Sequence, residues 1–236
     1  MAQRFLLDQP GRTVYVALIL LGSCRSNPGP LVPLDATPVS PEQVQGWVRA
    51  TAPLGHSIHQ FKWLFRNESS SAGGVGRVRI AAPDTLRFDA RGPLGSGRMA
   101  AVVIGDRQLW AVPEDQVAQI VPDYPLLWAM FGVARYPERG AVLRGIQTGE
   151  ITAWQYANGS DTVSYAISRG SQARFHAEVR RGGKLFGKVD TKLSADGRPV
   201  SARLTVPGVP AQLDIQFVAI TAESAFPPET WTPPES

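Results

Sequence analysis

The sequence is poor in the residues from which several classes of site are built. It has one cysteine, Cys24, in 236 residues, which excludes an internal disulfide and a metal centre made of cysteine thiolates. Only 19% of the residues are charged and the net charge is +4, too small and too scattered an excess to indicate a nucleic-acid-binding protein. His56 and His59 are three residues apart but have no third ligand nearby, so we predict no metal site.

Catalytic signatures are missing as well. The chain has no Gly-x-Ser-x-Gly turn, no acidic pair that stands out, and no glycine-rich loop followed by Lys-Ser/Thr. We therefore predict that the protein is not an enzyme, has no catalytic residues and binds no separate cofactor. A hydrolase is the least favoured of the functions considered.

The first 23 residues form a predicted signal peptide. Arg4 and Arg12 precede an uncharged apolar run at 13–23, which is shorter than the roughly 20 apolar residues of a membrane span. Two small residues close the run directly before Cys24. A basic start, a short apolar stretch and small residues at its end are typical of a secretory signal.

The stretch Leu21-Gly22-Ser23-Cys24 resembles the lipobox of bacterial lipoproteins. The resemblance implies that Cys24 becomes the new N-terminus and carries covalent acyl chains, which hold a protein on a membrane at roughly 0.8 kcal/mol per buried CH₂. In bacterial lipoproteins an Asp directly after the acylated Cys favours retention in the inner membrane, and this chain has Arg25 there. The resemblance therefore implies that the protein is located at the periplasmic face of the outer membrane. A plain signal peptide or an uncleaved anchor is the alternative.

The rest of the chain divides into a tether, one domain and a tail. Five prolines within residues 25–41 predict that residues 24–41 are a semi-extended tether, which at about 3.1 Å per residue reaches roughly 50 Å. Ser40 followed by Pro41 predicts the start of a short helix over 41–52. The domain is expected to run over 42–225, followed by an extended, proline-rich tail at 226–236.

Alternation of apolar and polar residues dominates the domain. It predicts five antiparallel strands up to residue 112 and six more over 149–157, 161–168, 172–180, 184–193, 198–206 and 211–221. Between the two groups, helical spacing predicts two short helices from residue 114 and a turn of helix near 138–144. The fold class is therefore mainly β: one antiparallel sheet of about 11 strands covered by short α-helices.

One face of this sheet must be covered by the helices. The residues that we expect on the inner face of the sheet and on the helices facing it are Phe61, Trp63, Phe65, Leu86, Phe88, Phe175, Leu213, Ile215 and Phe217 from strands, and Leu127, Met130 and Phe131 from the helical segment. If they fit tightly they form an ordinary core; if loosely, they line a cavity for acyl chains. Because the apolar sheet face exceeds the helices that cover it, we favour a partly open cavity.

Two stretches resemble the LolA/LolB lipoprotein carrier superfamily, most closely its outer-membrane receptor branch, LolB. They are residues 86–97, which read Leu-Arg-Phe-Asp-Ala-Arg-Gly-Pro-Leu-Gly-Ser-Gly, and 126–132, which read Leu-Leu-Trp-Ala-Met-Phe-Gly and are followed by Tyr136-Pro137 and Leu143-Arg-Gly145. The resemblance implies a strongly curved half-barrel whose concave apolar face is covered by helices. It also implies that the protein binds the acyl chains of other lipoproteins.

Leu94 lies in a predicted turn between Arg91 and Arg98. It is similar to the protruding apolar residue of the LolB loop, which implies insertion into the outer-membrane lipid while the arginines meet acidic head groups. The alternative is a single exposed leucine, which is common in soluble proteins.

Together these features predict a monomeric carrier or receptor that takes cargo from a periplasmic LolA-like carrier and passes it to the outer membrane. The cargo is either the acyl chains of lipoproteins or another lipid. The alternative is a structural or interaction lipoprotein of the cell envelope that has the same fold and no cargo.

Overall fold

A computed structural model describes residues 31–32, 36–92, 97–121, 123–137 and 139–234. Cys24, the signal peptide and Leu94 lie outside these residues. The elements in chain order are β1 Thr37–Pro38, α1 Pro41–Arg49, β2 His56–Arg66, β3 Ser71–Ala81, β4 Thr85–Arg91, β5 Arg98–Ile104, β6 Arg107–Val112, α2 Glu114–Ile120, α3 Tyr124–Ala129, β7 Val142–Thr148, β8 Ile151–Asn158, β9 Asp161–Ser168, β10 Arg174–Arg181, β11 Lys184–Leu193, β12 Pro199–Val206 and β13 Ala211–Glu223. None of the described helices has the length and apolar character needed to cross a bilayer.

All thirteen strands belong to one antiparallel sheet, in the order β1-β7-β8-β9-β10-β11-β12-β13-β2-β3-β4-β5-β6. Strands β2–β6 and β7–β13 are two meanders, in which each strand pairs with its neighbour in sequence. The helical segment joins them, and β13 pairs with β2 where they meet. The predicted fold class is confirmed, with thirteen strands rather than about eleven.

The two additional strands lie together at one edge. β7 occupies part of the segment for which we predicted a turn of helix near 138–144, so that prediction was wrong. The alternation in β7 is hidden because its buried position is Gly145, where a Cβ would lie 2.7 Å from the Trp47 ring of α1. Pro38 of β1 pairs with Arg144, and a proline is tolerated there because β1 is the edge strand.

The helices cover one face of the sheet and are held to different degrees. The predicted N-cap of α1 is confirmed, since Ser40 Oγ accepts a hydrogen bond of 3.2 Å from the Gln43 amide. α3 has four buried residues in succession, Leu126–Ala129. Its Trp128 ring donates to the Gly105 carbonyl at 2.8 Å, and Thr191 of β11 donates to the Ala129 carbonyl at 2.8 Å.

α2 is attached much less firmly. Val117 is its only buried residue with a described side chain. Its N-cap is Pro113, which offers no side-chain hydrogen bond to the first turn. Ile120 is only partly buried against the core. The helical layer therefore consists of two well-packed helices and one loosely held helix.

The C-terminal tail lies on the opposite, outer face of the sheet. It contains a short 3-10 helix, Pro228–Trp231. Arg87 of β4 donates to the carbonyls of Thr230 and Thr232 at 2.6 and 3.0 Å. The Trp110 ring of β6 donates to the Trp231 carbonyl at 2.8 Å. The tail thus packs across the end strands of the sheet.

Candidate functional site

An apolar cavity lies between the inner face of the sheet and helices α2 and α3. Its volume is about 40 Å³. Its lining is Phe61, Trp63, Val78, Phe88, Ala90, Met99, Ile120, Val121, Asp123, Leu127, Met130, Phe131, Leu204, Leu213 and Ile215. Ligand-binding pockets are usually about 300–1,000 Å³, so this cavity is too small for an acyl chain as it stands.

Most of the predicted inner-face residues lie at this cavity. Those that line it are Phe61, Trp63, Phe88, Leu127, Met130, Phe131, Leu213 and Ile215. The other four do not. Leu86 and Phe175 are fully buried elsewhere in the core, Phe65 is half-buried at its margin, and Phe217 packs beside the cavity. The roomy cavity that we expected is therefore corrected to one with little free volume.

Aromatic rings close the cavity on the side of Phe131. The Phe131 ring packs edge-on against Phe217 at 5.8 Å and against His59 at 5.7 Å, measured between ring centroids. Phe217 in turn contacts Phe61 at 6.2 Å. Edge-to-face contacts of this kind are a preferred arrangement of aromatic rings and stabilise this wall of the cavity.

Asp123 is the one ionisable residue in the cavity lining, and the sequence analysis did not identify it. It caps α3 by accepting from the Leu126 amide at 3.4 Å, and it forms an ion pair with Arg181 at 2.8 Å. Burial raises the pKa of Asp123, although Arg181 opposes the shift. The sequence did contain a signal for this capping residue, since Asp123 directly precedes a helix start that contains proline.

Helix α2 and its C-cap form the less buried part of the cavity wall. Ile120 and Val121 line the cavity from α2 and its C-cap, where the hydrophobic contact is only partial. α3 lies so close to β11 that a Cβ at Gly187 would be 2.7 Å from Leu126 Cδ1. Displacement of α2 would therefore enlarge the cavity while α3 stays on the sheet.

The predicted lipidation site and membrane-insertion residue are not described. Cys24 and Leu94 both lie outside the described residues, so their roles stay predictions. The two arginines that flank Leu94 are described: Arg91 of β4 pairs directly with Arg98 of β5, and both are exposed.

The comparisons with known proteins agree with this architecture. No family model matches the chain, and no curated protein sequence matches it. A solved domain from Vibrio parahaemolyticus, described as an outer membrane lipoprotein-sorting protein, matches with a TM-score of 0.53 and 11% identity, covering 81% of this chain and 97% of that domain. A LolA superfamily protein from Nitrosomonas europaea matches with a TM-score of 0.47 and 8% identity, covering 83% and 98%. At such identity the first match establishes the fold alone: an open antiparallel sheet with a few short helices.

Proposed function

We propose that the protein is a non-enzymatic, lipid-anchored carrier or receptor that binds acyl chains between the sheet and α2 and helps to insert its cargo into the outer membrane. The cargo is another lipoprotein, received from a periplasmic LolA-like carrier, or another lipid. The observation that supports the proposal best is the apolar cavity, which lies under the most weakly attached helix. The structural neighbours with the same fold include a domain described as lipoprotein-sorting.

The described structure corresponds to the closed, cargo-free form in this proposal. Displacing α2 exposes Val117 and Ile120, at about 1.5–3 kcal/mol each. Burying about a dozen methylenes of an acyl chain stabilises the complex by roughly 10 kcal/mol relative to water. For an acyl chain taken from water the gain exceeds the cost, so the chain itself can open the cavity. In transfer from another carrier, only the difference in affinity between the two apolar sites drives the step. No nucleotide is needed, because cargo passes from one apolar environment to another.

Binding of a synthetic triacylated lipopeptide tests the proposal. Ile120→Glu places a carboxylate where the acyl chain would enter, and an unpaired charge in an apolar site is strongly unfavourable. We expect the lipopeptide to bind at least about tenfold more weakly, since a penalty of about 1.4 kcal/mol is already tenfold. Displacement of an environment-sensitive fluorescent fatty acid measures the affinity.

Ala118→Glu is the matched control, because Ala118 lies on the exposed side of the same helix. Both substitutions add one carboxylate, and glutamate is a good helix former. The control should bind the lipopeptide as the wild type does. Equal affinity in the wild type and in Ile120→Glu would contradict the proposed site.

The small volume of the cavity favours a second candidate function. Because only about 40 Å³ is free between the sheet and helices α2 and α3, this region also fits the description of an ordinary packed core. The protein would then be a structural or interaction lipoprotein of the envelope that carries no cargo. This candidate predicts that neither the wild type nor either variant binds the lipopeptide.

A further inference from the structure

A second concave site lies on the outer face of the sheet, away from the helices. It is a groove of about 590 Å³ that crosses β2–β5, with Pro234 of the tail at its margin. We call it the outer groove, and its lining is Gln60, Phe61, Lys62, Val75, Gly76, Arg77, Arg79, Arg87, Asp89, Ala90, Arg91, Arg98, Met99, Ala100, Val218 and Pro234. Its volume is in the range of ordinary ligand sites.

The outer groove is strongly cationic. Its ionisable side chains are Lys62, Arg77, Arg79, Arg87, Asp89, Arg91 and Arg98, so six cations surround one carboxylate. Asp89 is already shared by two of them, with Arg79 at 2.6 Å and Arg87 at 2.9 Å. The other four cations form no ion pair within the described part of the chain.

Strand register lines these four cations up across β2–β5, although the residue directly opposite Arg77 on β4 is Asp89. Arg91 and Arg98 are directly paired across β4 and β5, where opposite Cβ atoms are about 4.5–5.5 Å apart. Val75 pairs with both Arg91 and Lys62, which places Arg77 diagonal to each of those cations. Like charges that face each other across strands are destabilising. An anion bound between them would remove this repulsion.

The backbone and the tail hold the groove in shape. A Cβ at Gly74 would collide with the Arg91 carbonyl oxygen, so β3 and β4 approach here as only glycine allows. Arg87 is fixed by Asp89 and by two carbonyls of the tail. The groove is therefore an ordered part of the sheet rather than a set of long side chains on a loop.

We propose that the outer groove binds the phosphate-bearing head groups of anionic lipids and holds the protein against an anionic membrane surface. Guanidinium groups match phosphate geometry with paired N–H donors. Val75 and Val218, both more than half exposed, place apolar side chains among the cations, as suits a lipid surface. None of the described residues that line the groove is an exposed aromatic on which a nucleic-acid base could stack.

This site lies on the opposite face of the sheet from the acyl-chain cavity and does not depend on cargo. It extends the predicted role of the 92–97 turn, because it places the cations on four strands rather than on one loop. The two proposals can fail separately: Ile120→Glu should leave binding through the outer groove unchanged.

Co-sedimentation of the full chain with vesicles tests the site. Phosphatidylcholine vesicles with and without phosphatidylglycerol are compared, and the measured quantity is the ratio of the two affinities. Arg4 and Arg12 of the N-terminal segment also favour phosphatidylglycerol. They are the same in the wild type and in every variant, so their contribution cancels when the ratio of a variant is divided by that of the wild type. Arg91→Ala/Arg98→Ala should lower the ratio about 30-fold at low salt, since each cation near an anionic surface contributes about a factor of five.

Arg107→Ala/Arg169→Ala is the matched control, because it removes the same charge from two exposed arginines outside the groove. It should change the ratio less than about twofold, and Ile120→Glu should behave likewise. An equal loss in both arginine pairs would overturn the site in favour of net charge alone. If inorganic phosphate or an acidic peptide binds the groove while phosphatidylglycerol gives no preference over phosphatidylcholine, the membrane assignment is refuted.

Thermal unfolding gives a second readout. Without lipid, Arg91→Ala/Arg98→Ala should unfold at the same temperature as the wild type or higher, because a repulsive pair has been removed. Short-chain phosphatidylglycerol should raise the unfolding temperature of the wild type and not that of this variant. A variant that unfolds at a lower temperature without lipid would show that the two arginines are structural and would overturn the proposal.

Discussion

His59 should make the stability of this protein fall steeply in weak acid. It lies on the inner face of β2 and is only 6% exposed. Its ring packs edge-on against Phe131 and Phe217, and its Nε2 atom is 3.0 Å from Ser57 Oγ. The other ring nitrogen, Nδ1, has no hydrogen-bond partner among the described residues. Burial, with a smaller contribution from the charge of Arg198, lowers the pKa of His59 from 6.5 to about 4.

The direction of the stability change follows from the protonation of His59 in the folded and the unfolded protein. Between about pH 6.5 and pH 4 the unfolded chain binds a proton at His59 and the folded chain does not. Stability is therefore complete above pH 6.5 and declines as the pH falls towards 4. At one pKa unit per 1.36 kcal/mol, the loss by pH 4.5 is about 2.5 kcal/mol. For a domain of this size that lowers the melting temperature by about 5–10 °C.

His59→Phe isolates this contribution, because phenylalanine fills a similar volume among the same rings and does not titrate. The two proteins should have free energies of unfolding within about 1 kcal/mol of each other at pH 7.5, since only the bond to Ser57 is lost. At pH 4.5 the variant should be the more stable by about 2.5 kcal/mol. Carboxylates titrate in both proteins and cancel in the difference. Parallel curves of stability against pH, from urea unfolding at each pH, would refute the reasoning.

Two further predictions concern the packing of α3 and the anchor. Gly187→Ala should destabilise the fold by about 1–3 kcal/mol, because the new methyl group meets the fully buried Leu126 side chain. In a double-mutant cycle with Leu126→Ala, measured by urea unfolding, the two substitutions should be coupled. Strictly additive changes in the free energy of unfolding would contradict the close approach of α3 to β11. Cys24→Ala should leave the protein unacylated. Mass spectrometry should then show no added lipid, and cell fractionation should find less of the variant in the membrane. A variant that still carries the lipid mass and is retained in the membrane as the wild type is would contradict lipidation at this residue.

The local alternation of apolar and polar residues was sufficient to predict most of the strands. Alternation predicted eleven of the thirteen strands, because most of them have one buried and one exposed face. β5 and β9 are exceptions, since each has four buried residues in succession. Ser40 followed by proline located the start of α1, since the capping geometry needs only those neighbouring residues. β7 was missed because Gly145 occupies its inward position: the apolar group that covers this point, the Trp47 ring, comes from another element.

The candidate site was predictable in composition but not in volume. Phe61, Met130 and Ile215 could be assigned to one interior from their faces alone. The space left between them depends on how closely α3 approaches the sheet, which Gly187 sets from a distant strand. The outer groove was predictable only in part. Arg91 and Arg98 flank a predicted turn, whereas Lys62 and Arg77 come near them only through strand register.

The pairing of β13 with β2 has a consequence for how the chain reaches this fold. The first long strand and the last one are neighbours at the centre of the sheet, and Arg66 meets Asp214 at 3.1 Å across 148 residues of sequence. Each meander can form from its own hairpins. One hydrogen-bonding edge of β2, however, has no neighbouring strand until β13, near the end of the chain, has been made. Contacts of such long sequence separation form slowly. Until β13 is made, β2 therefore presents an unpaired edge to other chains. A chain cut short before β13 lacks the strand that joins the two meanders.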